Sequence, residues 1–169
     1  MVPNRRMSRV LDERRIAALA ASVAHEPSDV GVMLLDRDLR IRGANTTYEA
    51  VSMRRRDEML DDFIFDVFPD NPNDPQASGS SELLVSIESA LRRRGTDTMP
   101  IFRYDISDSQ NPDVFLPKLW SCSSTSVDDG DEQIQPIPGW CMDGSIKVTV
   151  RDRSRHRGAE QGEDRGRDR

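Results

Sequence analysis

At 169 residues the chain has room for one small domain with extensions, which argues against a two-domain enzyme. Apolar residues make up 36% and charged residues 32%, and the mean hydropathy is -0.67, so part of the chain does not belong to a core. The net charge of -6 falls mainly on the central body: residues 1–26 carry +2, residues 27–127 carry -6 and residues 128–169 carry -2, which disfavours a nucleic-acid-binding face.

The first segment, 1–26, reads as an amphipathic helix over residues 8–24. Ser8 is a candidate N-cap, Val10, Ala17, Ala20 or Ala21, and Ala24 share one side, and Ile16, Leu19 and Val23 an adjoining one. The apolar run from Ile16 to Ala24 is far short of the ~20 residues a membrane span needs. Asp12 and Glu13 just before it suit a soluble helix better than a secretion signal. Pro27 and Ser28 then break the pattern.

Residues 27–127 read as the domain proper. Val30 to Leu35 is rich in strand formers, and Leu39 and Ile41 recur at period two in a second strand, with Asp36-Arg37-Asp38 supplying the turn. Asn45 is placed to cap a helix starting near Thr46, from which Tyr48 and Val51 face inward. Met59 to Phe68 is apolar at most positions, a density that calls for burial. Asp70 to Pro75 ends that stretch by proline geometry and Asx-type turns. A helix follows, capped by Ser80 or Ser81, with Leu83, Leu84, Ile87, Ala90 and Leu91 at spacings of three and four. Arg92-Arg93-Arg94 suit its negative end and Gly95 its left-handed stop. Thr98 to Ile106 and Val114 to Ser121 read as strands that pair in a long hairpin, with Pro100 at an edge or bulge.

From Cys122 onward this pattern is expected to fail. Asp129-Gly130 suits a turn, Pro136 and Pro138 make poor sheet, and Ile146 to Val150 alternates well enough for a replacement last strand within residues 128–150. The abrupt change of composition favours an altered reading frame or a truncated gene after Trp120 over natural divergence. Residues 151–169, rich in Arg, Asp and Gly, read as a disordered tail.

Between Gly31 and Trp120, the runs GVMLLDRDLRIRGAN, FIFDVFPDNPNDP and LPKLWS, with the helix between the last two, resemble the PAS sensor family of bacterial signalling proteins. The resemblance implies an α+β fold, an antiparallel sheet with helices packed on one face. It also implies a sensory or protein-interaction role in signal transduction, with a small ligand or a partner protein as the signal. An Asn at the position of Asn45 is common in the family. N-terminal helices such as 8–24 often dimerise there, which would make Ile16, Leu19 and Val23 a homodimer surface; the plainer reading is a helix that covers a sheet face. PAS domains also precede histidine kinases, phosphatases and other output domains, so the alternatives are a fragment of a larger signalling enzyme and a ligand-free partner-binding module.

Chemistry candidates mostly fail. There is no glycine-rich phosphate loop, metal-spaced cluster or nucleophile elbow, so an enzyme is not expected. Cys122 and Cys141 suit reduced thiols in a cytoplasmic protein. His25-Glu26-Pro27 is similar to a phosphoacceptor box over two residues only, and a helix-end histidine is favoured. The long helix lacks the histidine of haem-binding PAS domains, His156 sits in the tail, and the flavin-linked cysteine motif is missing, so no cofactor is named. Phe63, Phe65, Phe68, Ile87, Phe102, Tyr104 and Trp120 are the ligand-pocket candidates, and Phe115 joins the aromatic set. Core filling is the stronger reading of these rings, and the polar tips of Tyr104 and Trp120 make them the best ligand contacts. Arg54-Arg55-Arg56 and Arg92-Arg93-Arg94 read as solvated helix ends.

Overall fold

The computed structural model describes residues 5–25, 28–127 and 145–153. Asp129-Gly130, Pro136, Pro138, Cys141, His156 and the tail expected to be disordered lie outside the described residues, apart from the start of that tail.

Helix α1 (Arg5–Ala24) precedes a hairpin of β1 (Gly31–Leu35) and β2 (Ile41–Ala44). Asp36 makes the turn, its Oδ1 accepting from the N–H of Asp38 at 2.9 Å and of Arg40 at 3.0 Å. Leu39, expected on the second strand, instead adopts a left-handed turn conformation with φ 58°, and β2 begins two residues later. Four helices then cross the sheet: α2 (Thr46–Ser52), α3 (Arg56–Met59), α4 (Ile64–Val67) and α5 (Gly79–Arg93). The apolar stretch from Met59 to Phe68 is buried only in part. Met59, Ile64 and Phe68 enter the core, Phe63, Phe65 and Val67 pack on its margin, and Leu60 is 38% exposed, because single-turn helices turn one side inward.

Both ends of α5 differ from expectation. Its N-terminus is held by Asp70, which accepts from the Ser80 N–H at 3.0 Å and from the Ser80 hydroxyl, so Ser80 is the capped residue and not the cap. At the other end Arg94, not Gly95, takes the left-handed conformation, with φ 50°. The Gly95 N–H reaches Ala90 O and the Arg94 N–H reaches Leu91 O, a Schellman closure. Gly95 leads straight into β3, and its carbonyl already accepts from the Ser126 N–H of the neighbouring strand at 3.0 Å.

The expected long hairpin is antiparallel but broken at its prolines. It comprises β3 (Thr96–Thr98), β4 (Phe102–Arg103), β5 (Ile106–Ser107), β6 (Phe115–Leu116) and β7 (Leu119–Val127). Pro100 lies between β3 and β4 and Pro117 between β6 and β7, where a missing N–H interrupts the ladder. Beyond Trp120 the pattern does not fail: β7 continues to Val127 with alternating burial. Strand β8 (Ser145–Asp152) then pairs with β7 on one side and β1 on the other. Arg151 and Asp152 therefore belong to the sheet and not to a tail.

The resulting antiparallel sheet has six strands in the order β2-β1-β8-β7-β3, with β4 also on β7; β5 and β6 form a separate ladder. Met33, Leu35, Trp120, Cys122, Val148 and Val150 face α2 to α5 and form the main core. Val32 and Leu34 point to the opposite face and bury Val23 of α1. Cover on both faces explains why all five residues of β1 are buried.

Candidate functional site

The space between the sheet and helices α2, α4 and α5 is the candidate ligand site. Asn45 sets one wall: its Oδ1 accepts from the Tyr48 and Val32 N–H groups, each at 2.9 Å, and its Nδ2 donates to Val30 O at 2.9 Å. One buried amide thus caps α2 and pins it to β1. Tyr48 is thereby directed inward, its ring edge-on to Phe68 with centroids 6.1 Å apart. On the far wall, the Tyr104 hydroxyl donates to Phe68 O, and Trp120 Nε1 donates to Tyr104 O at 2.7 Å.

What remains between these walls is a cavity of about 30 Å³. Drug-sized ligands occupy ~300–1,000 Å³ and a single water needs ~10–15 Å³. The cavity therefore has the size for a water or a very small molecule. Burial pushes the Cys122 thiol up to about 12, and raises the Tyr48 and Tyr104 phenols above their ordinary value, chiefly through loss of solvent. All three stay neutral near pH 7.

Of the ligand-pocket candidates, Phe68, Phe102, Tyr104 and Trp120 line this cavity. Ile87 is fully buried in the core but outside the lining, while Phe63 and Phe65 meet edge-to-face at the margin, 5.5 Å between centroids. Phe115 is half-buried on β6, away from the cavity. Tyr104 and Trp120, expected to offer polar tips to a ligand, spend them on backbone carbonyls of the domain itself. Sequence reasoning missed Met33, Tyr48, Ser52 and Cys122 as lining residues. The inward side of α2 was readable for Tyr48; the alternation along β7 that brings Cys122 inward was obscured by its serines.

Helix α1 lies on the other side of the sheet. Val23 is buried there, and Ile16 and Leu19 are half-buried. Arg42 of β2 ties the helix down through Glu13 at 2.8 Å while also holding Asp36 at 3.2 Å. His25 follows the helix end, with Nδ1 2.8 Å from Ala21 O. Among the described residues no three His, Cys, Asp or Glu side chains gather as a metal site, and no helix is long and apolar enough to cross a membrane.

No family model and no curated protein sequence matches this chain. Solved structures do. The PAS domain of nitrogen regulation protein NR(II) from Vibrio parahaemolyticus shares 12% identity over 79% of this chain and 96% of its own, with a TM-score of 0.51. A PAS domain from Colwellia psychrerythraea shares 11% over 85% and 96%, with a TM-score of 0.52. The Rhodobacter sphaeroides LOV protein shares 13% over 90% and 72%, also with a TM-score of 0.52. With β8 between β1 and β7, helices α2 to α5 over one face and these likenesses in shape, the chain is a PAS-fold domain.

Proposed function

We propose that this chain is a non-catalytic, cytoplasmic signalling module that responds to a protein partner, with α1 as the relaying and dimerising element. The observation that carries this reading is the filled interior: a cavity of about 30 Å³, with the polar ends of Tyr104 and Trp120 satisfied internally, suits no cofactor-sized ligand. Support also comes from the fold, which in the Vibrio parahaemolyticus structure belongs to a nitrogen regulation protein. In this mechanism a partner changes how α1 sits on β1 and β2, and the change passes to the second copy along Ile16 and Leu19, which keep part of their surface free.

Native mass spectrometry of the purified chain, compared with its denatured mass, tests both parts. A bare dimer is the expected result. Several hundred daltons of bound mass released on denaturation would sink the ligand-free reading and make the chain a small-molecule sensor. Ile16→Asp with Leu19→Asp is expected to give monomers; an unchanged dimer mass would remove α1 from the interface.

A further inference from the structure

The half of the sheet that α1 leaves uncovered is polar and carries positive charge, against the acidic balance of the chain. Along β8, Lys147, Thr149 and Arg151 alternate with core residues and so point to this outer face, and on β7 Ser121, Ser123 and Thr125 do the same. Arg153 follows, its N–H bonded to Leu119 O at 2.7 Å. Here Ser28, Val30, Ser121, Ser123, Thr149, Arg151 and Arg153 enclose an open cleft of about 340 Å³.

Two features of the cleft point to a ligand. Arg153 Nε is buried and has no hydrogen-bond partner among the described residues, a costly state for a charged donor. Arg151 is paired with Asp29 at 3.5 Å, and that carboxylate is 81% exposed, a weak and replaceable contact. Ser28, Ser121, Ser123 and Thr149 line the cleft together with the two arginines, the Thr149 hydroxyl already donating to Ser123 O at 3.4 Å. Planar guanidinium forks beside several hydroxyl donors match the acceptors of a tetrahedral oxyanion.

We propose that this cleft binds a phosphate-class oxyanion, either inorganic phosphate or a phosphomonoester group. An anion seated in the cleft would replace Asp29 as the acceptor for Arg151 and add one beside Arg153. It also joins Ser28 and Val30, on the segment leading from α1, to the end of β8, two parts of the chain that leave the sheet side by side.

The test is titration of the isotope-labelled full chain with inorganic phosphate and, separately, phenyl phosphate, followed by amide NMR, with chloride at matched ionic strength as control. Saturable shifts at Ser121, Ser123, Thr149, Arg151 and Arg153 are expected, weakened at least about tenfold by Arg153→Gln at an unchanged thermal melt. Should that variant melt early, Arg151→Gln must show the same loss. Saturation by inorganic phosphate alone assigns a free ion, and tighter binding of phenyl phosphate assigns a monoester. Equal shifts with chloride, or undiminished phosphate binding by the folded arginine variant, would overturn the site.

Discussion

Asn45, just past the hairpin, joins three backbone groups through one side chain. It is 1% exposed, and its loss would strand two buried N–H groups and one carbonyl. Asn45→Ala is therefore expected to lower stability by about 3 kcal/mol, the sum of a lost helix cap and a further unsatisfied donor, as read by urea denaturation. The cap was legible in the sequence, because a short amide ahead of Thr46 has one obvious local use. The bond to Val32, thirteen positions away, was not, since it exists only once β1 and α2 are adjacent. Arg94 teaches the converse lesson. Glycine is the usual left-handed stop, yet Gly95 leads straight into β3, so the turn falls one residue earlier on an arginine that bears the backbone strain.

Among the elements, the docking of α1 depends on Gly43. A Cβ there would sit 3.1 Å from the Ala20 Cα and 3.3 Å from its carbonyl oxygen, contacts with backbone that cannot swing aside. Gly43→Val is expected to lift α1 from the sheet while sparing the main core. Hydrogen exchange would then speed up across residues 13–24 and stay slow in β7; equal loosening of both would mean that the two faces fold as one unit. Element types were largely readable: both hairpin strands, the long helix and the strand around Ile146 to Val150 follow from periodicity and turn chemistry. Their interruptions were less so. Pro100 was read as an edge or bulge, whereas together with Pro117 it divides one expected hairpin into three ladders, β3 with β7, β4 with β7 and β5 with β6. Helix α1 itself shows why a face count is not a docking prediction, for the same stripe of Ile16, Leu19 and Val23 suits a sheet or a second helix equally well.

For the molecule as a whole, the buried acids make alkaline pH a probe of the core. Burial raises Cys122 from 9.0 to about 12, so the folded chain keeps a proton that the unfolded chain releases between those values. Its contribution to stability is complete below pH ~9 and is lost as pH rises toward 12, and the raised phenols of Tyr48 and Tyr104 act in the same direction at higher pH. A melting temperature that is level near neutrality and falls above pH ~9 is expected, with the onset of the fall moved upward in Cys122→Ser; a flat profile to pH 11 would contradict the burial of the thiol. The fold class was legible from the order of strands, turns and helices, but the size of the cavity was not. Seven candidate side chains can surround a ligand or fill the same volume themselves, and only their packing decides between the two.

The position of β8 also governs how such a chain comes to be folded. The last of the described strands lies in the interior of the sheet, pairing Val150 with both Gly31 and Cys122. Until it has emerged from the ribosome, β1 and β7 have no shared neighbour, and the two halves of the sheet wait as separate hairpins. Closing so long a loop is slow by the logic of contact order, which leaves two strand edges unpaired during synthesis.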